Sequence, residues 1–124
     1  MSGIKLVCDT NIILYLLGGD QTLADLLHEK QVFISVITEL ELLSFKGISR
    51  TEKDIIADFV KHCFVVDLNQ AIKDLSVNLR TAYSLKLPDA IIASTAAYLN
   101  IPLITADSSF RKVKEIDLVL YKPL

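Results

Sequence analysis

Residues 4–11 read IKLVCDTN and residues 102–109 read PLITADSS. Each is a short apolar run that closes on an aspartate, Asp9 in the first and Asp107 in the second, and each aspartate opens a good helix-capping sequence, Asp9-Thr10-Asn11 and Asp107-Ser108-Ser109. Runs this short and this apolar suit strands buried on both faces, the kind that parallel sheets contain. With both strands in one parallel sheet, both aspartates emerge at its carboxyl edge, where open α/β sheets bind ligands near a switch in strand order.

Outward from these two runs, further strand candidates lie at Val32–Ser35, Phe64–Asp67 and Leu118–Tyr121, beside Ile4–Cys8 and Pro102–Thr105 themselves. Segments of helical period fill the gaps: Thr22–Lys30, Thr51–His62, Asn69 to about Leu85, and a helix from Pro88 to near Asn100. Thr51-Glu52-Lys53-Asp54 has the form of a capping sequence at a helix start. The alternation predicts an α/β fold with a mainly parallel sheet. No linker or repeat interrupts it, and 124 residues suffice for one domain but not two, so the expectation is a single domain over residues 1–124.

With 52% hydrophobic and 23% charged residues, the composition excludes a disordered chain. Cys8 and Cys63 are the two cysteines, far apart, with neither a C-x-x-C motif nor a disulfide framework, which fits a reducing, cytoplasmic setting. Lys5 and Asp9 break up any signal-peptide core, and the apolar stretch from Ala90 to Ile104 is interrupted by Asn100 and Pro102, so no membrane span is expected. A net charge of −2 gives no overall basic field, so contact with a nucleic acid has to be local. The high apolar fraction hints at association with a partner.

Two further acids join Asp9 and Asp107. Asp89 falls in the first turn of the helix that starts at Pro88, and Glu41 lies among Leu40, Leu42 and Leu43 on a helix directly after the second strand. Taken singly, capping or the helix dipole accounts for each acid, and Thr38-Glu39-Leu40-Glu41 has the form of a capping box in which Glu41 reaches back to Thr38. Together they point elsewhere. Crowded carboxylates repel unless a cation neutralises them, and an all-oxygen set without His or Cys prefers Mg²⁺ or Mn²⁺ to zinc. Such ions serve phosphodiester hydrolysis.

The segments LVCDTNIILYLL (6–17), ISVITELELL (34–43), LKLPDAIIASTA (85–96) and PLITADSSF (102–110) resemble the motifs of PIN domains, in order and spacing over nearly the whole chain, and most of all those of VapC-like toxins from type II toxin–antitoxin systems. The resemblance implies a Rossmann-like three-layer sandwich, with about five mainly parallel strands flanked by helices. It implies an acidic metal-binding and catalytic quartet at Asp9, Glu41, Asp89 and Asp107, with Thr10 and Asn11 in the Asp-Thr-Asn opening and Thr105 as the hydroxyl residue before the last aspartate. It also implies endoribonuclease activity with Mg²⁺ or Mn²⁺, homodimerisation, and inhibition by a small antitoxin protein. Glu39 competes with Glu41, but counting from Thr38 favours Glu41. The last motif reads Asp107-Ser108-Ser109-Phe110 where relatives often carry more charge, which bears on substrate preference.

Arg80, Lys86, Arg111, Lys112 and Lys114 lie near the acidic motifs and are candidates for phosphate contact, against the default of a solvated surface. His28 and His62 stand beside no nucleophile, and Cys8 alternates away from Asp9 as a buried structural thiol. An RNA-processing nuclease of the same fold outside any toxin system is the alternative within the nuclease reading; a receiver-like signalling domain phosphorylated at Asp67 is a rival, but it leaves Glu41 and Asp89 idle, and an inert binding module needs a lost acid, and none is lost. The apolar helix faces near Ile12 to Leu27, dense in leucine, are the expected partner surface, with Leu16 and Leu23 as test positions.

Overall fold

The computed structural model describes residues 3–123. Strands β1 (Lys5–Cys8), β2 (Gln31–Ser35), β3 (Phe64–Val66), β4 (Leu103–Thr105) and β5 (Leu118–Leu120) form one sheet in the order β3-β2-β1-β4-β5. Every pairing is parallel, so the sheet is parallel throughout rather than mainly so. Leu6, Val7 and Cys8 of β1 are buried, as are Leu103, Ile104 and Thr105 of β4, whereas Phe64 and Val65 on the β3 edge are exposed. That gradient is why the two central strands read as unbroken apolar runs.

Helices α1 (Thr10–Leu17), α2 (Gln21–Leu27), α3 (Val36–Leu43), α4 (Arg50–Lys61), α5 (Gln70–Tyr83) and α6 (Leu87–Leu99) make the crossovers, and a 3-10 turn spans Ser108–Lys112. The period of two along the strands divides the interior. Leu6, Cys8 and Ile104 point to one side with Ile12, Leu23 and Leu42, while Val7 and Leu103 point to the other with Leu79, Ile92 and Phe110. The result is three layers, helix, sheet and helix, with a separate core on each face of the sheet. Burying each large aliphatic side chain there contributes roughly 1.5–3 kcal/mol. Among the described residues no helix is long and apolar enough to cross a membrane.

The structure moves several boundaries. Helix α4 is capped by Ser49, not Thr51: the Ser49 hydroxyl accepts from the Glu52 N–H, and the Glu52 carboxylate accepts in return from the Ser49 N–H. Helix α2 starts after Asp20, which accepts from the Leu23 N–H, and stops at Leu27, just before Glu29 takes a left-handed φ of 61°. Helix α6 begins at Leu87, with Pro88 inside its first turn, and ends on left-handed Asn100. Helix α3 is capped by Ser35 at the end of β2, so Thr38 lies inside the helix and the capping box expected between Thr38 and Glu41 does not form. Within Ile12–Leu27, Ile12, Ile13, Leu23 and Leu27 are buried, Leu16 is half-buried, and Tyr15 and Leu26 are the exposed large apolar residues.

Candidate active site

The strand order reverses between β1 and β4, the neighbours from which the chain proceeds in opposite directions across the sheet. Parallel strands open a crevice at that point. Asp9 stands there as the cap of α1: one carboxylate oxygen accepts from the Ile12 N–H at 3.0 Å, and the other accepts from the Thr105 hydroxyl at the end of β4. The same Thr105 oxygen accepts from the Asp107 N–H at 3.0 Å, so one hydroxyl ties the side chain of Asp9 to the backbone of Asp107. Asp107 in turn caps the 3-10 turn, accepting from the Ser109 N–H at 2.9 Å.

Glu41 arrives from α3 and accepts from the Thr10 hydroxyl at 2.6 Å, while the Thr10 and Thr38 hydroxyls lie 3.1 Å apart. Asp89 arrives from the first turn of α6, half-buried. All four acids, with Thr10 and Asn11, line one cavity of about 420 Å³. Buried Ile92 and Phe110 and exposed Phe45 supply apolar parts of its wall. The site is therefore acidic and set partly in hydrocarbon.

Its electrostatics follow. Burial pushes the Asp9 carboxyl above the ordinary aspartate range, the hydrogen bonds from Thr105 and Ile12 oppose that shift, and repulsion from Asp107 and Glu41 adds to it. Asp89 is also raised, first by burial and then by Asp107 and Asp9, with Lys86 pulling the other way and Glu41 adding a smaller push. Four carboxylates from four elements thus feel one another across the cavity. Such a donor set, all oxygen and short of positive charge, fits a hard divalent cation. Among the described residues, however, no three His, Cys, Asp or Glu side chains are drawn together closely enough to hold an ion as they stand. Ligation by the set requires its side chains to draw closer together than they stand here.

Other expected residues fall outside the cavity. Glu39 is half-buried on another face of α3. Asp67 follows the edge strand β3, where its side chain accepts from the Leu68 N–H, far from the switch point in strand order. His28 and His62 are exposed, and Cys8 is buried with its thiol pushed up by burial. The basic candidates divide: Lys86 and Lys112 line a second cavity next to the first, and Arg80, Arg111 and Lys114 do not. Sequence reasoning missed Thr38 and Phe45. Thr38 reads locally as a cap, and Phe45 sits in the polar turn after α3 with no motif to mark it.

Comparison with known proteins agrees with this architecture. The chain has 29% identity to a chain of a toxin–antitoxin complex from Klebsiella pneumoniae, covering 96% of this chain and 99% of that one, with a TM-score of 0.83. Its fold also matches VapBC2 from Rickettsia felis bound to a DNA fragment from their promoter (21% identity, 96% and 100% covered, TM-score 0.84). VapBC-1 from nontypeable Haemophilus influenzae is similar in fold too (21% identity, 94% and 98% covered, TM-score 0.82). No curated protein matches the chain. The PIN domain family model matches residues 6–116, nearly the whole length, and the chain belongs to the PIN domain family.

Proposed function

We propose that this chain, acting as one domain over residues 1–124, is an endoribonuclease that hydrolyses RNA phosphodiester bonds with Mg²⁺ or Mn²⁺. We further propose that it is the toxin of a type II pair, a cytoplasmic homodimer held in check by a small antitoxin. The observation that carries the catalytic part is the meeting of Asp9, Glu41, Asp89 and Asp107 on one cavity at the carboxyl edge of the sheet. Likeness in fold to chains of toxin–antitoxin complexes supports the second part.

Asp9, Glu41, Asp89 and Asp107 would hold the cation. When bound, it supplies activation of a water and stabilisation of charge on the scissile phosphate. The chain's own contribution is orientation. Two donors fix the Asp9 carboxylate in one rotamer, and Thr105 makes the placement of Asp107 depend on that of Asp9. Asn11 brings an amide to a cavity otherwise dominated by acceptors, where it can donate to a phosphate oxygen. The buried apolar wall strengthens each of these interactions by lowering the local dielectric.

Cleavage of a mixed RNA pool by folded wild type and Asp9→Asn, each with EDTA, Mg²⁺ or Mn²⁺, tests the reading. Metal-dependent cutting that the variant lacks is the expected result. No cutting, together with no Mn²⁺ binding, overturns it. For the toxin assignment, induced wild type should arrest bacterial growth and Asp9→Asn should not; equal growth of the two sinks that part alone.

A further inference from the structure

The second cavity, of about 310 Å³, shares Asp89 and Asp107 with the first, so these two carboxylates form the ridge between them. Its far wall is of opposite character. Lys86 and Lys112 line it, together with Ser84 and Ser109, opposite in charge and character to the acidic ridge. Neither lysine has a carboxylate within ion-pair distance among the described residues. Net charge is negative overall, which makes a paired cationic wall beside the acids a local departure from the surface average.

Resting on the nuclease reading above, we propose that this cavity is a phosphate subsite. It binds a flanking phosphodiester of the RNA strand whose cut bond lies over the acidic cavity, with Lys86 and Lys112 as the charge partners and Ser84 and Ser109 as further donors. A strand laid across the ridge then has one phosphate over carboxylates, where a cation is needed, and its neighbour over ammonium groups, where none is. The subsite gives affinity and fixes the strand's position while carrying no base preference, because phosphate contacts position without reading sequence. Arg80 and Arg111, outside the cavity, take no part.

The test is fluorescence anisotropy of a labelled short single-stranded RNA in Ca²⁺, with the RNA recovered and checked for integrity. Wild type, the double variant Lys86→Gln/Lys112→Gln and the control Lys53→Gln are titrated at several salt concentrations. Cleavage by wild type in Mn²⁺ is measured separately. The double variant should bind about tenfold more weakly, and its salt slope should fall by about 0.7, the value for the one single-strand phosphate that is no longer neutralised. Lys53→Gln should match wild type. Unchanged affinity and slope in the double variant overturn the subsite, and if wild type still cuts RNA the nuclease reading survives. A role for Lys86 confined to neutralising Asp89 changes Mn²⁺ affinity with RNA binding intact, and this also overturns the subsite. RNA held through both lysines yet never cut by wild type overturns the nuclease reading instead.

Discussion

Asp89 carries a charge that opposes folding when no cation is bound, because burial and its acidic neighbours raise its carboxyl above the ordinary range. The unfolded chain keeps the ordinary value, so between the two values the folded state binds more protons and stability falls as pH rises. Asp89→Asn should therefore raise the melting temperature of the EDTA-treated protein at pH 7.5, with the gain shrinking towards about pH 4, the ordinary aspartate value of the unfolded chain. Mn²⁺ should reverse the order of the two proteins, since only wild type keeps the full ligand set. Thermal melts at both pH values, with and without Mn²⁺, check all three statements. Thr105 is the other residue whose removal is informative. Thr105→Val takes a donor from Asp9 and an acceptor from the Asp107 N–H, and should cost about 1–3 kcal/mol in denaturant unfolding. It should also lower kcat by loosening Asp9.

At the scale of the element, α4 offers a clean separation of stability from chemistry. Ser49→Ala removes its capping box and should cost about 1 kcal/mol while leaving cleavage at saturating RNA unchanged. Unfolding in urea and kcat measured on the same preparation decide this. The helices also show how far the sequence could be read. Strands β1 and β4 were legible because burial on both faces leaves an unbroken apolar run, and both closing aspartates fell where the sheet's direction requires. Helix starts were misplaced wherever two cap-forming residues stood within three positions, Ser49 before Thr51 and Ser35 before Thr38. Either choice caps a helix start with the same chemistry on N–H groups two or three residues apart, and local sequence does not select one. Glu41 shows the same ambiguity at the site. Locally it fits a cap, and its true partner, Thr10, lies on another helix at a separation of 31 residues.

For the whole molecule, the two cores make a distinction that hydrophobicity alone concealed. Leu23 and Leu26 are neighbours on α2, yet Leu23 is fully buried and Leu26 is 39% exposed. Leu23→Ala should cost about 2–5 kcal/mol through the cavity it leaves, while Leu26→Ala should stay within about 0.5 kcal/mol. Urea midpoints of the two variants measure the difference. The leucine-rich stretch could not be divided this way from sequence, because α1 and α2 turn different faces to the sheet across a short connection at Gly18 and Gly19. The shared edge of Asp9 and Asp107 was legible from their strands, while the approach of Glu41 and Asp89 was legible only through the family resemblance, since it depends on a reversal of strand order that no local pattern encodes.

The bond between Thr105 and Asp9 joins positions 96 residues apart. It closes a circuit through almost the entire polypeptide, tying the end of β1 to the end of β4. For such a small domain, activity and global structure should vanish at a single denaturant midpoint. On the proposed reading, cutting belongs to the finished fold and works as its own proofreader: a chain still being made, or coming apart, should not cut.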